Sequence, residues 1–292
     1  MRLDNERESD NVEDRRGDGS GGGFSLGAGR LGLGGVVLAL VVSYFTGISP
    51  SALLSLVSGE GSLPAMTSSA PAHKPPANDE MATFVSKVLA DTEDTWQVIF
   101  RETNHAYREP KLVLFRGATH TACGTGKAAM GPFYCSLDEK VYIDLAFYQE
   151  LKNRFHAPGE FAEAYVIAHE VGHHVQKLLG ISDKVHAAQE RAGSQAQVNA
   201  LSVRLELQAD CFAGVWGNHA DRMKHIVEPG EIDQALNAAT AIGDDRLQQE
   251  ARGTVRPETF THGSSEQRVR WFKRGMESGQ PGRCNTFGEK HL

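Results

Sequence analysis

Apolar and polar positions follow different rhythms in successive parts of this 292-residue chain. From Leu31 to Val57 there is no charged side chain, and LGLGGVVLALVVSYFTGI is apolar over about the ~20 residues that cross a bilayer. Between Met81 and Thr103 the apolar residues Met81, Phe84, Val85, Val88, Leu89, Trp96, Ile99 and Phe100 recur at helical spacing. KLVLF at Lys111–Phe115 and KVYIDL at Lys140–Leu145 have the length and composition of strands. Beyond them the rhythm is helical again: Phe161–Leu179, stopped by Gly180, then Ser194–Met223, Ile232–Gln249 and Ser264–Met276. A small sheet followed by packed helices is an α+β plan.

Composition divides the chain further. Residues 1–30 mix acidic residues and arginine with GDGSGGGFSLGAG, which offers no periodic apolar face, and are expected to form a disordered tail. Residues 31–57 are the expected transmembrane anchor, because a polar leader of this length is unusual for a secretory signal. Residues 58–80, rich in Ser, Ala, Pro and Gly, read as a linker, and 81–288 as the folded domain. Arg15, Arg16 and Arg30 precede the apolar run, whereas the first charge after it is Glu60. The positive-inside tendency then predicts a single pass through the cell's inner membrane, with a cytoplasmic N-terminus and a periplasmic or extracellular domain. The four cysteines Cys123, Cys135, Cys211 and Cys284 all lie in that domain, as an exported protein with two disulfides would have them. Cys123 and Cys135 bracket the Gly-rich GTGKAAMGPFY, a loop that can close on itself, which leaves Cys211 with Cys284. A net charge of −7 without a basic stripe argues against nucleic acid as a partner.

The helix Phe161–Leu179 contains HEVGH, with His169 and His173 four residues apart and thus one turn above each other. Two imidazoles on one helical face suit Zn²⁺, and Glu170 lies close enough to take a proton from water without being a ligand. Val166, Ile167, Val175 and Leu178 continue a buried stripe, so unpaired charge here is costly and a metal supplies the partner. A metzincin would need histidine six residues after His173, where Leu179 stands. The third ligand is instead sought in LELQADCFAG of the next helix: Glu206 to complete the site, and Asp210 to fix the tautomer of a ligating histidine.

Together, AHEVGHHVQ, LELQADCFAGVW, GPFYCSLDEKVYIDLAFY and FTHGSSEQRVRWF resemble the bacterial neutral zinc metallopeptidase family of the YpfJ type, over roughly residues 81–288. That resemblance implies a zincin-like fold of the gluzincin kind, with His169, His173 and Glu206 as zinc ligands, Glu170 as catalytic acid/base, a polypeptide substrate, and a membrane-anchored exported domain. THGSSEQRVRWF is also similar to a segment that follows the third ligand in CAAX-processing and HtpX-type membrane peptidases. By that analogy His262 assists the oxyanion and Arg268 orients Asp210 or another carboxylate of the site. The substrate is expected to lie extended beside VYIDL. The rival expectation is a catalytically silent, zinc-stabilised binding or scaffold domain at the membrane.

Overall fold

The computed structural model describes residues 1–17 and 73–292, which form one compact unit. The expected membrane anchor, residues 31–57, lies outside the described residues. Among those described, no helix is long and apolar enough to cross a membrane. The architecture is mixed α+β and mostly helical, with a four-stranded sheet and a separate hairpin.

The strands are β1 (Val12–Asp14), β2 (Lys111–Phe115), β3 (Ala118–Thr121), β4 (Gly124–Lys127), β5 (Phe133–Cys135) and β6 (Lys140–Asp144). The sheet runs β1-β2-β6-β5. Its first three strands are parallel and β5 is antiparallel to β6, while β3 and β4 make the hairpin. The helices are α1 (Glu80–Glu102), α2 (Ala146–Asn153), α3 (Glu160–Leu178), α4 (Ile181–Glu190), α5 (Gln195–Lys224), α6 (Glu231–Ala241), α7 (Asp244–Arg252) and α8 (Ser265–Ser278).

Their ends follow local chemistry. The Asp79 carboxylate accepts from the Ala82 amide at the start of α1, and Ser194 and Ser264 cap α5 and α8 in the same way, the latter within a capping box with Gln267. After α3 the chain turns at Gly180 in the left-handed region. Both disulfides, Cys123–Cys135 and Cys211–Cys284, pair as the spacing suggested.

Three expectations are corrected. Residues 1–17 are not a disordered tail: β1 pairs with β2, Leu3 and Val12 are buried in the core, and the Asp14 amide donates to the His73 carbonyl at 2.7 Å. Polar composition misled because the arm's charges have distant partners. Arg7 donates to Asp94 at 2.7 Å, Ser9 to Glu93 at 2.6 Å, and Lys140 to Glu13 at 3.0 Å. A segment hydrogen-bonded to β2 shares β2's compartment, so a cytoplasmic N-terminus opposite an exported domain does not fit this arrangement. The second correction concerns Ile232–Gln249, which is two helices. Gly243 packs so closely on the Ser265 amide that a Cβ there would come within 2.5 Å of it, and Asp245 accepts from that amide at 2.7 Å. Third, β6 is an inner strand, paired with β2 along its length and with β5 over Lys140, Val141 and Tyr142, so the first half of VYIDL offers no edge to a substrate; the edge strands are β1 and β5.

Two close helix crossings position the functional side chains. A Cβ at Gly172 of α3 would sit 3.0 Å from the Ala209 carbonyl oxygen of α5, which brings the HEVGH turn against LELQAD. Gly275 of α8 lies so near the Cys211 backbone that a methyl group there would overlap it, and α8 thereby delivers Arg268 to Asp210.

Candidate active site

His169 and His173 project from α3 toward Glu206 of α5. The His169 Nε2 is 3.2 Å from one Glu206 carboxylate oxygen and the His173 Nε2 3.5 Å from the other. The three ligand atoms lie within 4.8 Å of one another, the one such metal-competent group among the described residues. Ligands about 2.1 Å from a tetrahedral Zn²⁺ stand roughly 3.4 Å apart, so the observed spacing fits that ion.

The other ring nitrogens are already committed. His169 Nδ1 donates to Asp210 Oδ1 at 2.8 Å, and His173 Nδ1 donates to Gln176 Oε1 at 2.9 Å. The Gln176 amide is fixed in that sense because its nitrogen donates to the Leu205 carbonyl at 2.6 Å. Both imidazoles therefore turn Nε2 toward the shared point, the nitrogen that a metal takes once its proton is lost.

Asp210 is fully buried. It accepts from Arg268 Nε and Nη2, each at 2.9 Å, and from the Tyr165 hydroxyl at 2.5 Å. Burial alone would raise its pKa, but the charges of Arg268 and His169 bring it down to about 2. For His169 the opposition runs the other way: burial lowers its pKa, Asp210 and Glu206 overcome that, and the net is about 10. His173 is likewise raised against burial by Glu206. The Glu206 carboxyl, despite burial, is held well below the usual range by the two histidines. Glu170 differs: burial raises its pKa, and no described residue hydrogen-bonds its carboxyl, which faces the cleft.

That cleft has a volume of about 710 Å³ and is walled by Tyr165, His169, Glu170, His173, Glu206 and His262, with apolar side chains beyond them. The structure thus brings together every metal, acid/base and supporting residue expected from the sequence. His262 lines the cleft with its Nδ1 3.3 Å from Asp244 Oδ1, and hydrogen bonding to Asp244 raises its pKa. The other Asp244 oxygen accepts the amides of Thr261 at 2.7 Å, His262 at 2.6 Å and Gly263 at 3.1 Å, clamping the loop that carries His262.

Sequence reasoning missed Gln176, Tyr165 and Asp244. The first two carried a usable signal, since Gln176 follows His173 by three residues and Tyr165 precedes His169 by four on the same helix. Asp244 carried none, because its partners lie across a loop. His174, not expected as a ligand, turns away: its Nε2 donates to the Arg108 carbonyl at 2.6 Å and its Nδ1 accepts from the Tyr134 hydroxyl at 3.0 Å.

Comparison with known proteins agrees with this geometry. A family model described as "Putative neutral zinc metallopeptidase" matches residues 1–287, thus including the N-terminal arm. YpfJ of Escherichia coli (strain K12) is 53% identical over 295 residues, covering 99% of each chain. Rv2575 of Mycobacterium tuberculosis (strain ATCC 25618 / H37Rv) is 42% identical over 220 residues, 72% of this chain and 73% of that protein. No solved structure matches. With two imidazoles, a carboxylate and an adjoining free glutamate in one cleft, and with the family's pattern running over nearly the whole length, the chain belongs to the neutral zinc metallopeptidase family.

Proposed function

We propose that the protein is a zinc-dependent endopeptidase that hydrolyses polypeptides, with His169, His173 and Glu206 holding the metal and Glu170 as acid/base. The observation that carries this reading is the convergence of two Nε2 atoms and a carboxylate on one point beside the buried Glu170 carboxyl, which no described residue hydrogen-bonds. A zinc ion held there supplies Lewis acidity, polarising a carbonyl and bringing the pKa of water toward neutrality.

The chain's own residues do the rest. Glu170, its pKa raised by burial, takes a proton from water in the cleft and returns it to the leaving amine. Asp210 holds the His169 tautomer, and Arg268 keeps Asp210 ionised and in place. His262, oriented by Asp244, donates to the oxygen that becomes negative as the carbonyl is attacked. The edge strand β5, whose Phe133 and Tyr134 line the cleft, offers backbone groups to an extended substrate. The two disulfides support an exported domain, and the arm paired with β2 goes with it.

Glu170→Gln is the decisive test. It is expected to retain stoichiometric zinc and to lose about 10²–10⁴-fold in peptide hydrolysis. A variant that cleaves at the unsubstituted rate would remove Glu170 from the reaction.

A further inference from the structure

The cleft is chemically lopsided along α3. Ser182 and His186, one turn apart on α4 directly after α3, line it together with His173 and Glu206. On the other side Val166 stands one turn before Glu170 on the same helical face. Beside Glu150 and Arg154, the lining includes Phe133 of β5, Phe147 in the first turn of α2 and Phe155 just past its end, and Ile242 and Leu247 around the break between α6 and α7. These last five are only partly buried, although large apolar side chains of a folded domain are more often wholly inside. Phe147 and Phe155 support one another, with ring centroids 6.4 Å apart, and the Arg154 guanidinium covers the outer face of Phe155 at 4.9 Å. A volume of about 710 Å³ exceeds what one side chain fills; it falls in the range that accommodates whole small ligands.

We propose that this lobe selects polypeptide segments carrying one or two bulky apolar side chains next to the bond presented to Glu170, so that the substrate class is unfolded chain exposing residues normally buried in a core. This deepens the peptidase reading and rests on it for the word substrate, but the recognition itself is a property of the wall. Folded proteins keep such side chains inside, so the lobe separates unfolded from folded chains without reading a particular sequence.

The test uses the full-length protein and three fluorescent peptides of equal length whose central pair is Phe-Leu, Ser-Thr or Lys-Glu. Two measurements run side by side: zinc-dependent cleavage by the unsubstituted protein, and equilibrium binding to zinc-loaded Glu170→Gln protein. The Phe-Leu peptide is expected to exceed both others by about tenfold or more in kcat/KM and in affinity, the scale on which apolar pockets discriminate. Leu247→Glu and Phe155→Ser are expected to shrink that preference about tenfold with zinc content unchanged. Cleavage of all three peptides at similar rates, or equal binding, overturns the inference while leaving the peptidase reading standing. Preferential binding of the Phe-Leu peptide with no cleavage of any peptide sinks the peptidase reading and sustains the recognition.

Discussion

Replacing Arg268 by methionine tests whether the buried ionic network is organised as the geometry indicates. Asp210 and Arg268 are almost wholly buried, and the guanidinium supplies two of the four hydrogen bonds that the carboxylate accepts. Methionine keeps much of the apolar stem but strands an anion in the core. Breaking one side of such a pair costs about 3–5 kcal/mol, more than the net worth of the pair, because the remaining charge loses its compensation. The pKa of Asp210 gives a second measure. Lowered from 3.8 to about 2, it corresponds to about 2.5 kcal/mol of folding stability at neutral pH. Being a depressed carboxylate, it contributes that stability above its unfolded pKa and loses it as pH falls through the folded value. Urea unfolding of zinc-depleted protein should therefore show Arg268→Met less stable by about 3–5 kcal/mol at pH 7, with a Tm lower by roughly 6–20 °C. The difference should narrow as pH drops from about 4 to about 2. Adding Asp210→Asn should recover most of the loss, since it removes the stranded charge. If Arg268→Met lies within about 1 kcal/mol of the unsubstituted protein at neutral pH, Asp210 is not held as an anion by that residue, and its role in fixing His169 falls too.

Two further outcomes follow from the same coordinates. In zinc-free protein His169 is raised to about 10, so at pH 7 imidazolium protons sit where a metal would bind; His173 is shifted in the same direction. Zinc binding must expel them, and affinity should weaken as pH falls; calorimetry in buffers of different ionisation enthalpy should register at least about one proton released per zinc, and heats independent of buffer would contradict the assignment. The docked arm makes a topological forecast: cysteines placed at exposed Asp10 and Glu102 should react with an impermeant maleimide from the same face of the membrane. Labelling of one position without the other would mean that β1 is not in the sheet in the cell.

What the sequence made legible was whatever depends on short spacing. HEVGH and LELQAD each place two functional side chains one helical turn apart, and the apolar residues between them announce a buried helix, so the metal group could be assembled before any coordinates. What stayed hidden depends on contacts between distant segments. The pattern Ile232–Gln249 looks continuous in helical periodicity, but the chain leaves the helix at Gly243, which is extended and sits where Ser265 leaves no room for a Cβ. That break frees Asp244 to reach Thr261, His262 and Gly263, so the feature that escaped periodicity is also the one that orients a cleft histidine.

The arm makes the same point for topology. Its charge-rich composition has the marks of a disordered tail, and that inference assumes charges have only water for partners. Here Glu6 accepts from Lys224 at 2.6 Å across 218 residues of sequence, and Arg7 reaches Asp94 across 87. Apolar burial of Leu3 and Val12 and pairing of β1 with β2 add to what those ion pairs supply. The positive-inside rule weighed Arg15 and Arg16 as free cations flanking an apolar run, whereas both are engaged, Arg15 with Glu13 at 2.7 Å and Arg16 with Asp14 at 2.6 Å. Charges already neutralised within a folded sheet are poor guides to orientation, so Arg15 and Arg16 lose the weight that the positive-inside rule gave them.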